Sequence, residues 1–266
     1  MTLTVSDIKI ALLIFFIYNY SMRIESVQNK KIKEFVKLHT KKGRDEKNLF
    51  IVEGHHLIQE ALQSSCLKEL FILETVQNPF SFPAIECTQS VINKLSNQIS
   101  NAKMIGVCEK QKNSEKKKKK VIFLDEIQDP GNMGTIIRTA HSFGIEAIYC
   151  SKNCVDVYNP KTIQASQGAL FHIPVYYCDL YQMVSSYRKD NMKIFATALH
   201  QKSIFLQDVS IPDCYGIVFG NEGSGIHQEL IEQCDECIKI EMATFESLNV
   251  AIAASICMYT FQYQKR

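Results

Sequence analysis

The sequence predicts an α/β protein: a C-terminal, mostly parallel sheet with helices on both faces, preceded by a small α/β domain. Three observations predict it. From Val121 onward, short apolar runs of strand length alternate with helical segments, the pattern of parallel strands joined by helical crossovers. Glycine-bearing polar turns follow several of those runs. A lysine-rich stretch, residues 109–120, separates this region from a shorter alternating one.

The elements follow in order. Residues 1–21 hold an apolar run, Ile8 to Tyr20, too short to span a bilayer, which takes about 20 residues. No signal-peptide cleavage site accompanies it. Met22-Arg23-Ile24 reads like a start, so residues 1–21 are expected to be a dispensable extension. Residues 26–42 form a helical pattern, with Gly43 expected to cap its C-terminus. Strand Leu49–Val52, helix 55–64 and strand Leu70–Leu73 follow, and alternation continues to Cys108. Residues 22–108 are thus expected to form one domain and 109–120 a solvated linker. In residues 121–266 the strands are expected at 121–124, 145–150, 173–176, 192–198, 216–219 and 237–240. Helices are expected at 133–143, 160–168, 180–188, 226–233 and 247–262.

The net charge of +2 hides an asymmetry. Residues 22–120 carry 19 Lys/Arg against 11 Asp/Glu, and residues 121–266 carry 10 against 16. A basic half joined to an acidic half points to a polyanionic partner for the first. Ten cysteines are scattered through apolar segments, as buried thiols are in a reducing cytosol, so a cytoplasmic location is expected. Cys234 and Cys237 have the spacing of half a metal site, but no second pair accompanies them, and no metal is expected.

Three turns carry the chemistry: Asp129-Pro-Gly-Asn-Met-Gly134 with Arg138 beyond it, Gly220-Asn-Glu-Gly-Ser-Gly225, and Glu246-Ser-Leu-Asn-Val250. Each lies where a strand ends or a helix begins, at the sheet edge where ligands bind in such folds. The second turn lacks the Lys-Ser/Thr of a P-loop, and its central glutamate repels phosphate. Its small residues suit a ligand approached closely by backbone. Asn132 is expected at the N-cap of its helix.

These motifs resemble those of the SpoU/TrmH family of RNA 2′-O-ribose methyltransferases, within the SPOUT superfamily. The resemblance rests on Asn132-x-Gly134-x-x-x-Arg138, Phe219-Gly-Asn-Glu-Gly-x-Gly225 and Ser247-Leu-Asn-Val250, in order. Asn159-Pro-Lys161 and Ala165-Ser166-x-Gly168 fit as well. Lys42-Gly-Arg44 and Phe50-Ile-Val-Glu-Gly54 are similar to the family's RNA substrate-binding domain, which resembles a ribosomal-protein fold. The match covers about residues 24–262.

The resemblance implies a trefoil knot, which the rule against knotted chains would exclude. It also implies a homodimer with the active site at the subunit interface. S-adenosylmethionine is the implied cofactor, with Thr197, Leu199, Gly220, Asn221, Ile240, Met242 and Leu248 around it. The implied reaction is methylation of a ribose 2′-hydroxyl in structured RNA. Arg138 is the expected catalytic residue, either sharing in proton removal or stabilising the developing alkoxide. Asn132, Glu222, Ser247 and Asn249 are expected to orient it, the ribose or the cofactor. Lys41, Lys42 and Arg44 are expected to bind RNA, within a segment, Lys30 to Lys47, that carries eight Lys/Arg against three acids. The extra N-terminal domain favours rRNA, with tRNA the alternative. Two departures stand out: Glu241 replaces a usual proline in a loop that lacks its glycine, and Gln164 replaces a common arginine. The altered loop is the main support for a second reading, an RNA-binding or ribosome-assembly protein that has lost catalysis.

Overall fold

A computed structural model of the chain describes residues 22–97, 101–111, 117–198, 203–244 and 247–264. The expected extension 1–21, Leu199, Glu246 and residues 112–116 of the expected linker lie outside the described residues. The chain divides into two compact units, residues 1–110 and 111–266.

The first unit is a five-stranded mixed sheet with short helices. In chain order it comprises β1 (Arg23–Ile24), α1 (Lys30–Val36), α2 (Lys41–Lys47), β2 (Leu49–Glu53), α3 (His55–Gln63), β3 (Leu67–Leu73), β4 (Ala84–Cys87), α4 (Gln89–Leu95) and β5 (Met104–Glu109). The strand order is β1-β4-β3-β5-β2. Ile32, Phe71, Val91, Ile92, Ile105 and Val107 are among the residues closing its core. Glu53 is buried and accepts hydrogen bonds from Ser96 Oγ and the Asn97 backbone N–H, both at 2.7 Å, which secures the segment after α4.

The helix expected over 26–42 is two helices. Asn29 caps the first and Thr40 the second, where the Thr40 hydroxyl accepts from the Gly43 N–H at 3.1 Å. Gly43 therefore lies in the opening turn of α2 and is not a C-cap. A threonine able to cap a new helix outcompeted the continued helical spacing.

The second unit comprises β6 (Lys120–Leu124), α5 (Pro130–Ser142), β7 (Ala147–Cys150), α6 (Pro160–Ser166), β8 (Val175–Tyr177), α7 (Leu180–Lys189), β9 (Lys193–Thr197), β10 (Ile204–Phe205), β11 (Tyr215–Phe219), α8 (Gln228–Ile231), β12 (Glu236–Lys239) and α9 (Val250–Tyr263). Its seven strands run in the order β10-β12-β9-β11-β6-β7-β8, every pairing parallel. The central strands are covered on both faces, so they read as continuous apolar runs; Val121 to Leu124 and Ile217 to Phe219 are fully buried. On one face Tyr187 of α7 packs edge-on against Phe123 and shares a 2.7 Å hydroxyl contact with Tyr149. On the other, Phe261 of α9 packs edge-on against Phe195 and Tyr215.

Helices α5 and α6 touch through Gly134. A Cβ there would stand 2.5 Å from both the Thr162 carbonyl oxygen and the Ala165 Cβ. Alanine is the better helix former by about 1 kcal/mol, but overpacking costs about 1–3 kcal/mol, and a backbone oxygen cannot swing aside. Gly134→Ala should therefore lower the denaturant midpoint of the protein. An unchanged or raised midpoint would show that the helices can separate freely.

Candidate active site

The strand order places the ends of β12, β9 and β11 side by side, with β6 next in line. A cavity of about 540 Å³ opens there. Thr197, Gly220, Asn221, Ile240, Met242 and Leu248 line it, as do Glu222, Ser247 and Asn249. Ile226, Ile231 and Ile238 add apolar wall. Of the expected cofactor contacts, Leu199 alone lies outside the described residues.

Local chemistry shapes each wall. The turn after β11 is closed by reciprocal backbone bonds, Asn221 N–H to Gly225 O at 2.9 Å and Gly225 N–H to Asn221 O at 3.0 Å. A Cβ on Gly220 would meet the Gly225 carbonyl carbon at 2.2 Å, so only glycine lets the turn fold back on itself. The Asn221 side chain accepts from the Gly223 and Ser224 N–H groups and donates to the Glu126 carbonyl at 2.8 Å. That last bond ties the turn to the end of β6. The Thr197 hydroxyl donates to the Val218 carbonyl at 2.8 Å. In the altered loop, Ile240 and Met242 still face the cavity, while the Glu241 carboxylate accepts from Gln207 Nε2 at 2.9 Å.

A relay joins the three turns. Asn132 Nδ2 donates to Glu222 Oε1 at 2.9 Å, and Asn249 Nδ2 donates to Asn132 Oδ1 at 2.9 Å. Asn249 Oδ1 accepts from the Ala251 and Ile252 N–H groups and so caps α9. Asn132 does not cap α5; Asp129 does, accepting from the Asn132 N–H at 2.8 Å, with Pro130 in the first turn. The Asp-Pro pair carried that signal. Freed from capping, the Asn132 amide spans the other two turns. Desolvation would raise the Glu222 carboxyl, but hydrogen bonds from Asn132 and from the Asp129 and Gln128 backbone outweigh it and hold the group below the usual carboxylate range.

The other expected site residues are placed differently. Arg138 is exposed on α5 and does not line the cavity. Lys41 and Lys42 lie in the first turn of α2. Arg44 corrects the expected RNA-binding trio: it is only 4% exposed, and its Nη1 donates to the Leu38 and His39 carbonyls at 2.9 and 3.2 Å. It thereby satisfies the end of the short turn before α2. Among the described residues no group of three His, Cys, Asp or Glu could hold a metal, and no helix is long and apolar enough to cross a membrane.

The geometry agrees with comparison to known proteins. The model of the SpoU rRNA methylase family matches residues 119–259, and that of an MRM3-like substrate-binding domain matches 29–106. The 23S rRNA (guanosine(2553)-2′-O)-methyltransferase RlmP of Bacillus subtilis is 34% identical over 89% of this chain and 98% of its own. The chain belongs to the SpoU rRNA methylase family. A 23S rRNA (guanosine-2′-O-)-methyltransferase of Coxiella burnetii, RlmB, is a more distant member, 29% identical over 64% of this chain and 74% of its own. Among solved structures, the AdoMet-bound rRNA methyltransferase of Sinorhizobium meliloti superposes with a TM-score of 0.80 at 26% identity, covering 91% of this chain and 97% of that one. The expected RNA 2′-O-ribose methyltransferase family is thus the one found.

Sequence reasoning missed one pair beside the family motifs. Asp125, buried at the end of β6, accepts from both the His227 N–H, at 3.0 Å, and His227 Nδ1, at 2.8 Å. It clamps the exit of the glycine turn to the sheet. Only the residue types, 102 positions apart, could have suggested it.

Glu222 makes stability depend on pH. With its folded pKa lowered, its contribution is fully present above the unfolded value of about 4.3 and disappears as pH falls through the lower folded value. Urea unfolding of the wild type and Glu222→Gln should differ at pH 7 and converge toward pH 3. A gap that does not change with pH would mean the carboxylate charge plays no part.

Proposed function

We propose that this chain methylates a ribose 2′-hydroxyl in ribosomal RNA, acting as a homodimer with S-adenosylmethionine. The observation that carries the proposal is a cavity walled by the second and third family motifs, with the first motif joined to both by the Glu222–Asn132–Asn249 relay. Its volume of about 540 Å³ lies in the range of pockets for small organic ligands. Apolar side chains from Ile226, Ile238, Met242 and Leu248 suit adenine and thioether carbons, and the glycine turn allows close backbone approach. These residues fit the cofactor of the Sinorhizobium structure. Membership of an rRNA methylase family, a close 23S rRNA-acting relative and the substrate-binding domain match favour rRNA over tRNA. Ile240 and Met242 still reach the cavity beside Glu241, which favours an active enzyme over a protein that has lost catalysis.

When bound, S-adenosylmethionine supplies a methyl group on an already activated sulfonium. The protein's task is then alignment. Gly220, Ile240 and Leu248 hold the cofactor. Glu222 and Asn132 fix the turns, and Ser247 and Asn249 orient the ribose. Arg138 stabilises the developing alkoxide, a role its permanent charge suits.

Arg138 reaches that position from the partner protomer. It is exposed on α5, and α9, which packs on α5 through a Ser255–Thr139 hydroxyl contact of 3.2 Å, presents Ile252, Ile256, Tyr259 and Tyr263 to solvent. This apolar stripe supports a dimer interface. Residues 22–108 serve as the RNA-capturing domain, with Lys41 and Lys42 on its surface, and residues 109–120 tether it. The C-terminal segment forms the family's trefoil knot, and the enzyme works in the cytoplasm. Arg138→Ala should cut transfer to purified rRNA by at least about a hundred-fold, the scale of one lost oxyanion donor, while cofactor affinity stays within two-fold by calorimetry. Near-normal turnover would remove Arg138 from the chemistry.

A further inference from the structure

Two adjacent residues grip the glycine turn at both ends. At its entry Asn221 Nδ2 donates to the Glu126 carbonyl at 2.8 Å. At its exit Asp125 Oδ2 accepts from the His227 N–H at 3.0 Å and from His227 Nδ1 at 2.8 Å. Asp125 is itself fixed beside the β6–β11 pairing, its N–H donating to the Phe219 carbonyl at 2.8 Å. The two grips differ in kind. The first is a neutral carboxamide bond. The second joins a buried carboxylate to an imidazole whose side chain is 48% exposed and so can exchange its proton with solvent.

What His227 holds is cavity wall. Ile226 precedes it, and Ile231 ends the short helix α8 that follows; both line the cavity. Ile226 and Leu230 share one core cluster with Leu180 and Val184 of α7, and Tyr181 packs against it. The wall thus has a packed back, and the clamp sets its position relative to the end of β6.

The titratable groups around His227 come from three elements. Asp125 and Glu126 follow β6, Glu229 lies on α8, and Tyr181 of α7 faces these carboxylates together with Asp179. Asp125, Glu126 and Glu229 all favour a protonated imidazole. The hydrogen bond to Asp125 is the largest cause and the Asp125 charge the next, and they outweigh desolvation and raise the His227 pKa. A hydrogen bond between charged partners is about twice as strong as a neutral one, so the clamp has a strong and a weak form. With the folded pKa raised, the strong form is complete below the unfolded value of about 6.5 and is lost as pH rises through the higher folded value.

We propose that His227 is a positioning residue for the methyl donor: held by Asp125, it sets the Ile226–Ile231 wall against the cofactor, and the protein with a charged His227 binds the cofactor more tightly than the protein with a neutral one. This rests on the reading of S-adenosylmethionine as cofactor and makes its affinity depend on a proton.

The test titrates S-adenosylhomocysteine, the demethylated donor without the sulfonium charge, into the full-length wild type, His227→Asn and His227→Ala by calorimetry across neutral pH. Asparagine keeps an uncharged donor near the Nδ1 position. Taking each variant as a ratio to wild type cancels titration of the ligand's own amino group. His227→Asn should bind about three- to five-fold more weakly than wild type near pH 6, with the ratio closing toward one near pH 9. His227→Ala should lose a further few-fold at every pH. In turnover, His227→Asn should raise the KM for S-adenosylmethionine near pH 6 while kcat stays within about two-fold. A wild-type-to-Asn ratio that does not move with pH overturns the role of the proton. His227→Ala binding as tightly as wild type throughout overturns the positioning role. Should His227→Ala lose its cooperative urea transition, His227→Asn decides alone, and equal affinity near pH 6 overturns the inference. A wild type that binds neither S-adenosylhomocysteine nor S-adenosylmethionine overturns the cofactor reading as well.

Discussion

Asn132 donates one hydrogen bond and accepts another, and through them turns 90 and 117 residues away along the chain are held against its own. Each bond alone contributes only about 0.5–1.5 kcal/mol. Their effect is geometric. Glu222 fixes the glycine turn beside the Asp129 cap, and Asn249 fixes the start of α9 while capping it. Remove the amide and the walls of the cavity lose their common reference. The remaining features of the site serve this convergence: the parallel strands deliver the turns to one edge, and glycine at positions 134 and 220 lets helix and turn approach closely enough for short side chains to meet.

The contrast between the two ends of the strands follows from the same frame. Their C-terminal ends carry small residues, carboxamides and apolar walls, which suit a small-molecule cavity. At their N-terminal ends β6 opens on Lys120 and β9 on Lys193, while β12 opens on Glu236, which pairs with Lys193. The first unit contributes its own basic segment, but with Arg44 turned inward its charge toward solvent comes from lysines.

Much of this was legible in the sequence because buried parallel strands are continuous apolar runs, and those between Val121 and Ile240 announced themselves within a few residues. Site residues in the turns were legible because two of them combine glycine with a carboxamide and a carboxylate at an element boundary, and the third sets Asn249 at a helix start. What stayed hidden was set by competition between local signals and by distance. Thr40 broke a helical pattern that looked continuous. Asp129, not Asn132, won the cap, which left the carboxamide for a longer reach. The two-residue strands at Arg23 and Ile204 lie at sheet edges, too short for any periodicity. The Asp125–His227 clamp arises only when remote segments meet.

The central claim is that Asn132 and Asn249 act as a unit in building the cavity. A double-mutant cycle on S-adenosylmethionine affinity, using Asn132→Ala, Asn249→Ala and the pair, measures this directly by calorimetry. The account predicts a coupling energy of about 1 kcal/mol or more, within the range for residues in one hydrogen-bond network. Strictly additive losses, or no loss in either single variant, would contradict it.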